Sequence, residues 1–318
     1  MSLIDKAASK LKKSESLVER AARALKQAPA DMRKNTAEIN KRQPEMTPKK
    51  RPEVTPESTG PSEEKQTTKK GAKVDLDVDI LKSHNIFISE DDENSITTEE
   101  FRIIKRSLLL NAFTKGDSAI KNGNIVLVTS TQPDEGKTFC AVSLALSMAA
   151  ETDLTVLLVD ADVSKPDVLN TLGVKGNKGL IDVIIDKNMN LSECLLRTNI
   201  PNLTILPAGK KHKLTTELLA SERMGDIMLE LAKRYHDRII IIDSPPVLAS
   251  SAASVLATHV GQILYVVEAE RTRQEELGDA FKMIEKCKHI NLLLNKARFT
   301  AGKKKFGSYY GYGNDYIK

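Results

Sequence analysis

Six short runs rich in Val, Ile and Leu, at 125–129, 156–159, 203–206, 239–242, 263–267 and 291–294, recur through the chain with stretches of helical period between them. A strand that is apolar on both faces must be covered on both faces, and parallel strands need long crossovers that are usually helical. The pattern therefore predicts an α/β fold, a mostly parallel sheet with helices on both faces, over residues 75–297. Composition narrows the rest: 40% of the 318 residues are apolar, enough for one sizeable core, whereas 4% aromatics and no tryptophan argue against a base-stacking or lectin-like surface.

Three of these runs end on residues that carry chemistry. Ile125-Val-Leu-Val-Thr-Ser130 leads into Thr131-Gln132-Pro133-Asp134-Glu135-Gly136-Lys137-Thr138 and then a helical run from Phe139 to Met148. A strand, a loop, Gly-Lys-Thr and a helix form the context of a P-loop, in which backbone N–H groups and the helix N-terminus cradle phosphates and the lysine reaches the β/γ-phosphates. The first glycine of that motif is Thr131 here. Residues 131–139 are the expected ATP-binding segment, with Thr138 placed to hold Mg²⁺. The other two runs end in Asp160-Ala-Asp162 and Asp243-Ser-Pro-Pro246. The carboxyl edge of an open α/β sheet is where ligands bind. Two such acidic ends beside Gly-Lys-Thr suit Mg-ATP, because metal and lysine offset the triphosphate charge that carboxylates would repel.

This set of motifs resembles the Walker A, Walker A′ and Walker B motifs of the bacterial tyrosine kinases, within the Min/Par-like P-loop ATPases. More narrowly it is similar to the exosortase A-associated tyrosine autokinases of exopolysaccharide clusters. The supporting residues are Glu99-Glu-Phe-Arg102-Ile-Ile-Lys105-Arg106, Gly179-Leu-Ile-Asp-Val-Ile, Leu206-Pro-Ala-Gly209, Glu217-Leu-Leu-Ala-Ser221 and a C-terminal tyrosine cluster. The resemblance covers residues 75–318. It implies a non-specific protein-tyrosine kinase in which Lys137, Asp160, Asp162 and Asp243 are catalytic and Thr138, Asp160 and Asp243 hold Mg²⁺. Asp160 or Asp162 would take the acceptor proton. Glu99, Arg102, Lys105 and Arg106 would lie between subunits of a homo-oligomeric ring. Further implied partners are a transmembrane polysaccharide chain-length regulator and a phosphotyrosine phosphatase.

The chain departs from that pattern in three places. Asp134 stands where the family has glycine, adding a negative charge near phosphates. Ser164 stands where Walker A′ ends in arginine, with Lys165-Pro166 following. Lys105 replaces an arginine of the intersubunit motif and lacks its planar fork. The first two bear on catalytic rate more than on nucleotide binding.

The two ends of the chain differ from the middle. Of six tyrosines, Tyr309, Tyr310, Tyr312 and Tyr316 fall in the last ten residues, interleaved with glycine. Residues 298–318 are therefore expected to be a flexible acceptor tail that enters a neighbour's cleft, is phosphorylated in trans, and is then repelled by its new charge. Residues 1–28 have Ile4, Leu11, Val18 and Leu25 at heptad spacing on a Lys-rich amphipathic helix. Residues 29–74, with six prolines up to Gly71 and no aromatic there, are expected to be a disordered linker. Residues 1–75 hold 18 Lys/Arg against 11 Asp/Glu, and residues 298–318 hold five against one, so the middle of a chain of net +5 is acidic. The basic balance belongs to the ends, and no nucleic-acid partner is expected.

Cys140, Cys194 and Cys287 show neither CxxC spacing nor a metal-type histidine neighbour. No apolar run reaches the roughly 20 residues that cross a bilayer. The expected location is cytoplasmic, with recruitment to the inner face of the membrane by a partner. Two further readings fit a P-loop protein. A positioning ATPase of the Min/Par type would usually carry a second lysine early in the loop, where Ser130, Thr131 and Gln132 stand, and would lack the tyrosine tail. A non-catalytic nucleotide-binding scaffold would explain Asp134 and Ser164 as decay.

Overall fold

Eight strands form one sheet in the order β1-β4-β5-β3-β6-β2-β7-β8 in a computed structural model that describes residues 71–84, 86, 96–176, 178–234 and 237–297. The strands are β1 (Lys73–Val74), β2 (Ile125–Ser130), β3 (Thr155–Asp160), β4 (Leu196–Thr198), β5 (Leu203–Leu206), β6 (Arg238–Asp243), β7 (Gln262–Glu268) and β8 (Ile290–Asn295). All pairings are parallel except β4 with β5. The six apolar runs are the six longer strands. Strands β1 and β4 were not expected, and β1 lies inside the stretch read as linker up to residue 74, so the sheet starts earlier than the composition shift at Asp75. The N-terminal helix and the tyrosine tail lie outside the described residues.

The helices are α1 (Val78–Ser83), α2 (Ile96–Phe113), α3 (Lys137–Ala149), α4 (Val168–Thr171), α5 (Leu180–Ile185), α6 (Leu191–Cys194), α7 (Thr215–Leu219), α8 (Glu222–Arg234), α9 (Ser251–Leu256) and α10 (Gln274–Met283). Alternation along each strand sorts the core into two layers. Ile125, Leu127, Leu157, Val159, Ile240 and Ile242 pack with residues of α5, α8 and α9. Val126, Val128, Val156, Leu158, Ile239 and Ile241 pack on the other face with α1, α2 and α3. Each is buried almost completely, contributing about 1.5–3 kcal/mol. Because neither face of β2, β3 and β6 is solvated, those strands contain no polar alternation, and their polar residues collect at the ends.

Helix α2 is tied to the sheet by a buried glutamine. Gln262 Nε2 donates to Leu108 O (3.1 Å) and Gly123 O (2.6 Å), while its oxygen accepts from Asn111 Nδ2 (3.0 Å). No helix among the described residues is long and apolar enough to cross a membrane.

Candidate nucleotide site

The sheet order brings the three motif-bearing strand ends together. Strand β6 lies between β3 and β2, so that Asp243 pairs in register with Asp160 on one side and Val128 on the other. The P-loop leaves β2 at Ser130 and turns into α3 at Gly136, whose φ of +94° is in the left-handed region that favours glycine. A Cβ there would also fall on the Asn295 amide. Asp134 takes a left-handed conformation too, with φ +66°. Asp is one of the few side chains that tolerate it.

Lys137 and Thr138 divide the carboxylates between them. Lys137 Nζ is 2.9 Å from Asp162 Oδ2, and Thr138 Oγ1 donates to Asp243 Oδ2 at 2.7 Å. Asp160 is oriented by backbone N–H groups instead, accepting from Asp162 (3.2 Å) and Val168 (3.3 Å). Burial and the charge of Asp243 push Asp160 up to about 8. Burial pushes Asp243 up to about 6, although Lys137 and Thr138 oppose it. Burial also acts against the Lys137 ammonium, but Asp243, Asp162 and Asp160 together hold its pKa above the ordinary lysine value. One lysine therefore faces three acidic groups. A bound cation would relieve that imbalance, while a triphosphate would compete with Asp162 for the ammonium.

The donor set fits Mg²⁺. Asp243 Oδ1 is buried with no hydrogen-bond partner, beside the Thr138 hydroxyl on Oδ2. Hard oxygen donors of this kind suit Mg²⁺, which binds through one or two carboxylates plus substrate phosphates. Consistent with that division of ligands, among the described residues no group of three or more His, Cys, Asp or Glu could hold a metal alone.

The P-loop opens on a pocket of about 460 Å³ lined by Pro133, Asp134, Gly136, Lys137, Thr138, Phe139 and Asp162. Within the loop, the Thr131 and Glu135 side chains turn to the protein interior. Thr131 Oγ1 bonds the Tyr265 hydroxyl (2.9 Å) and is fully buried. The Glu135 carboxylate turns inward to accept from Gln132 N (2.9 Å) and the Thr272 hydroxyl. Gln132 lends its backbone to both Glu135 and Ser130 Oγ. The Thr131 and Glu135 side chains lie off the pocket because buried polar atoms have to find partners.

Two departures from the family pattern meet in space: Lys165 Nζ is 3.0 Å from Asp134 Oδ1. The lysine beside the missing Walker A′ arginine thus takes up the charge that Asp134 adds. Its hydrogen bond and charge hold the Asp134 carboxyl below the usual range. Asn295, at the end of β8, donates to Glu135 O (2.8 Å) and so braces the P-loop. His84, Thr171, Pro245, Pro246, Ala249 and Ser250 also line the pocket. No motif marks them; only Pro245-Pro246, following Asp243, carried a local signal.

The expected intersubunit residues share α2 but differ in availability. Glu99 and Arg102 pair with each other. Lys105 Nζ is tied within the chain, to Glu151 at 2.5 Å and to Ser147 O at 3.1 Å. Its side chain is 12% exposed. Arg102 and Arg106 are the exposed cations of that set.

A P-loop on a parallel sheet, a Thr–Asp couple for a cation and a lysine-facing acidic pair define a nucleotide-binding phosphoryl-transfer domain. Residues 123–296 match the family described as AAA domain. The putative tyrosine-protein kinase CapB of Staphylococcus aureus is 30% identical over 227 residues, spanning 71% of this chain and 94% of CapB. The tyrosine-protein kinase wzc of Salmonella typhimurium is 30% identical over 60% of this chain but only 27% of its own length. The kinase domain of Escherichia coli tyrosine kinase ETK superposes with a TM-score of 0.59 at 27% identity, over 72% of this chain and 84% of that domain. The chain belongs to the AAA domain family and, within it, to the bacterial tyrosine-protein kinases.

Proposed function

We propose that this protein is an ATP- and Mg²⁺-dependent tyrosine autokinase that phosphorylates Tyr309, Tyr310, Tyr312 and Tyr316 of a second copy. The observation that carries the reading is the division of labour at three adjacent strand ends: Thr138 with Asp243 for the cation, Lys137 with Asp162 for phosphates, and Asp160 held by backbone alone. When bound to Thr138 and Asp243, Mg²⁺ would supply charge neutralisation at the β/γ-phosphates. Lys137, released from Asp162, holds the phosphates from the loop side, and the N-terminus of α3 adds its N–H groups. The phenol oxygen forms a bond to the γ-phosphorus as the bond to the β–γ bridging oxygen breaks and ADP leaves. The phenol proton passes to Asp160, whose raised proton affinity suits a general base.

In this reading Arg102 and Arg106 on α2 contribute to the ring of subunits, and a groove of about 600 Å³ beside them, lined also by Leu109, Leu110 and Phe113, provides apolar contact. Coupling to a membrane chain-length regulator of exopolysaccharide export, recruitment to the inner face of the membrane, and reversal by a phosphatase rest on the resemblance of the motif set.

The test is incubation of the purified protein with Mg-ATP and mapping of phosphosites, beside Lys137→Met and a chain ending at Lys305. The expected result is tyrosine label confined to residues 309–316 and absent from both variants. Label on Ser or Thr alone, or label that survives Lys137→Met, removes the assignment. ATP turnover without label favours the positioning ATPase.

A further inference from the structure

Among the described residues two lysines line the nucleotide pocket, Lys137 and Lys165. Lys137 faces three buried carboxylates. Lys165 follows Ser164, which stands at the place of the Walker A′ arginine. Ser164 lines the pocket as well, but its hydroxyl is short and uncharged, so Lys165 is the cation that this loop presents. The remaining titratable side chains of the lining are Asp134, Asp162, Asp167 and His84. His84 Nδ1 donates to Thr171 O (3.1 Å), and Asp167 Oδ1 accepts from Asn170 (3.4 Å).

The main chain of Lys165 is fixed beside the phosphate site. Its N–H donates to Asp162 Oδ1 (3.2 Å), while Lys137 Nζ is 2.9 Å from Asp162 Oδ2. One carboxylate thus holds the P-loop lysine on one oxygen and the Lys165 backbone on the other. Pro166 follows and restricts Lys165 to extended backbone. The free end of the side chain is held far more loosely. Its partner is Asp134 Oδ1 at 3.0 Å, with the two side chains 71% and 68% exposed, and an ion pair so open to water contributes little. Asp134 also has other cations near it. Behind the hydrogen bond and charge of Lys165, the charges of Arg271 and Lys137 lower its carboxyl too, and Lys296 Nζ donates to Asp134 O at 2.7 Å.

We propose that Lys165 is the second phosphate-binding lysine of this site: a nucleoside triphosphate displaces Asp134 from its ammonium, and Lys165 then holds the γ-phosphate from the Walker A′ side. The inference rests on the kinase reading above and adds a residue to it. A triphosphate carries more negative charge than one exposed carboxylate and accepts charge-assisted hydrogen bonds from an ammonium, so the exchange is favourable. Lys137 and Lys165 then approach the phosphates from opposite loops, each anchored through Asp162. Charge on the γ-phosphoryl oxygens is what phosphoryl transfer requires the protein to stabilise. Asp134, at a glycine position of the family pattern, acts as an internal competitor that weakens triphosphate binding.

The test is calorimetric binding of ADP and of the non-hydrolysable analogue AMP-PNP, with Mg²⁺, to the full chain, to Lys165→Met, to Asp134→Asn and to the double variant. Lys165→Met is expected to weaken AMP-PNP about tenfold and to leave ADP, which has no γ-phosphate, as it was. Asp134→Asn is expected to tighten AMP-PNP a few-fold by freeing the lysine. The double variant separates the two roles that Lys165 could have. A lysine that holds the γ-phosphate is missed in the Asp134→Asn background at least as much as in the native one, whereas a lysine that only neutralises Asp134 is not missed there at all. That second result overturns the proposal, as does a Lys165→Met protein that loses ADP and AMP-PNP equally or loses neither. Lys165→Arg is expected to keep most of the AMP-PNP affinity. Tyrosine labelling is measured beside binding: a wild-type protein that binds AMP-PNP but labels no tyrosine removes the kinase reading, and the binding series still decides the role of Lys165. A wild-type protein that binds neither nucleotide removes both.

Discussion

Replacing Lys137 by Met removes the one cation that faces Asp160, Asp162 and Asp243, and its cost can be worked from the structure. Lys137 Nζ and Asp162 Oδ2 are 2.9 Å apart, with side chains 11% and 4% exposed. At an effective dielectric of about 20 this separation corresponds to about 6 kcal/mol of attraction. Taking both ions out of water costs several kcal/mol each, so the pair itself roughly breaks even. Removing only the lysine is different: it leaves Asp162 buried and unpaired, which typically costs about 3–5 kcal/mol. For a domain of this size that is a fall in Tm of roughly 6–20 °C.

The effect also has a pH signature. Asp160 and Asp243 have folded-state values raised above the unfolded ones, so their contribution to stability is fully present below the unfolded carboxylate value and is lost as pH rises through the folded one. Without Lys137 those folded values rise further. The deficit of Lys137→Met is therefore expected to be largest at pH 8 and to shrink toward pH 4. The assay is urea unfolding of the apo protein across that range, in a cycle with Asp162→Asn. The double variant is expected to recover at least about 2 kcal/mol relative to additivity, while remaining inactive. Effects that add within about 0.5 kcal/mol, or a deficit independent of pH, would refute the reasoning.

Three further outcomes are expected. Asn295→Ala removes the brace on Glu135 O and is expected to raise KM for ATP several-fold, with about 1 kcal/mol lost in stability; unchanged KM would mean that the loop holds its shape without the brace. Lys105→Ala loses the Glu151 pair and the Ser147 carbonyl bond and is expected to destabilise the monomer by about 1 kcal/mol without changing subunit association in analytical ultracentrifugation, whereas Arg102→Ala with Arg106→Ala weakens association. His259 is half-buried and burial lowers its pKa, so its contribution to stability is present above the ordinary histidine value and is lost as pH falls through the folded value; His259→Gln is expected to flatten the unfolding free energy between pH 7 and pH 5, and an unchanged slope would show that another group sets it.

The long strands and their chemically loaded ends were legible because both signals are local. A run such as Ile239–Ile242 between helical stretches can only be a strand buried on two faces, and Asp243 at its end lies at the sheet edge whatever the strand order. Strands β1 and β4 were not legible: two or three residues such as Lys73-Val74 or Leu196-Arg197-Thr198 have no period to read, and they exist because β5 offers an edge to β4 and β4 in turn offers one to β1.

The sequence by itself determined the fold class, the P-loop and the carboxylates that face it. Tertiary structure alone decided which groups are partners. Lys165 meets Asp134 across 31 residues, Asn295 reaches Glu135 across 160, and Thr131 meets Tyr265 across 134. Those separations are closed by the strand order, which makes distant strand ends neighbours, and no local pattern encodes them. For the same reason Lys105, which reads as an intersubunit cation on an exposed helix face, is an internal tether.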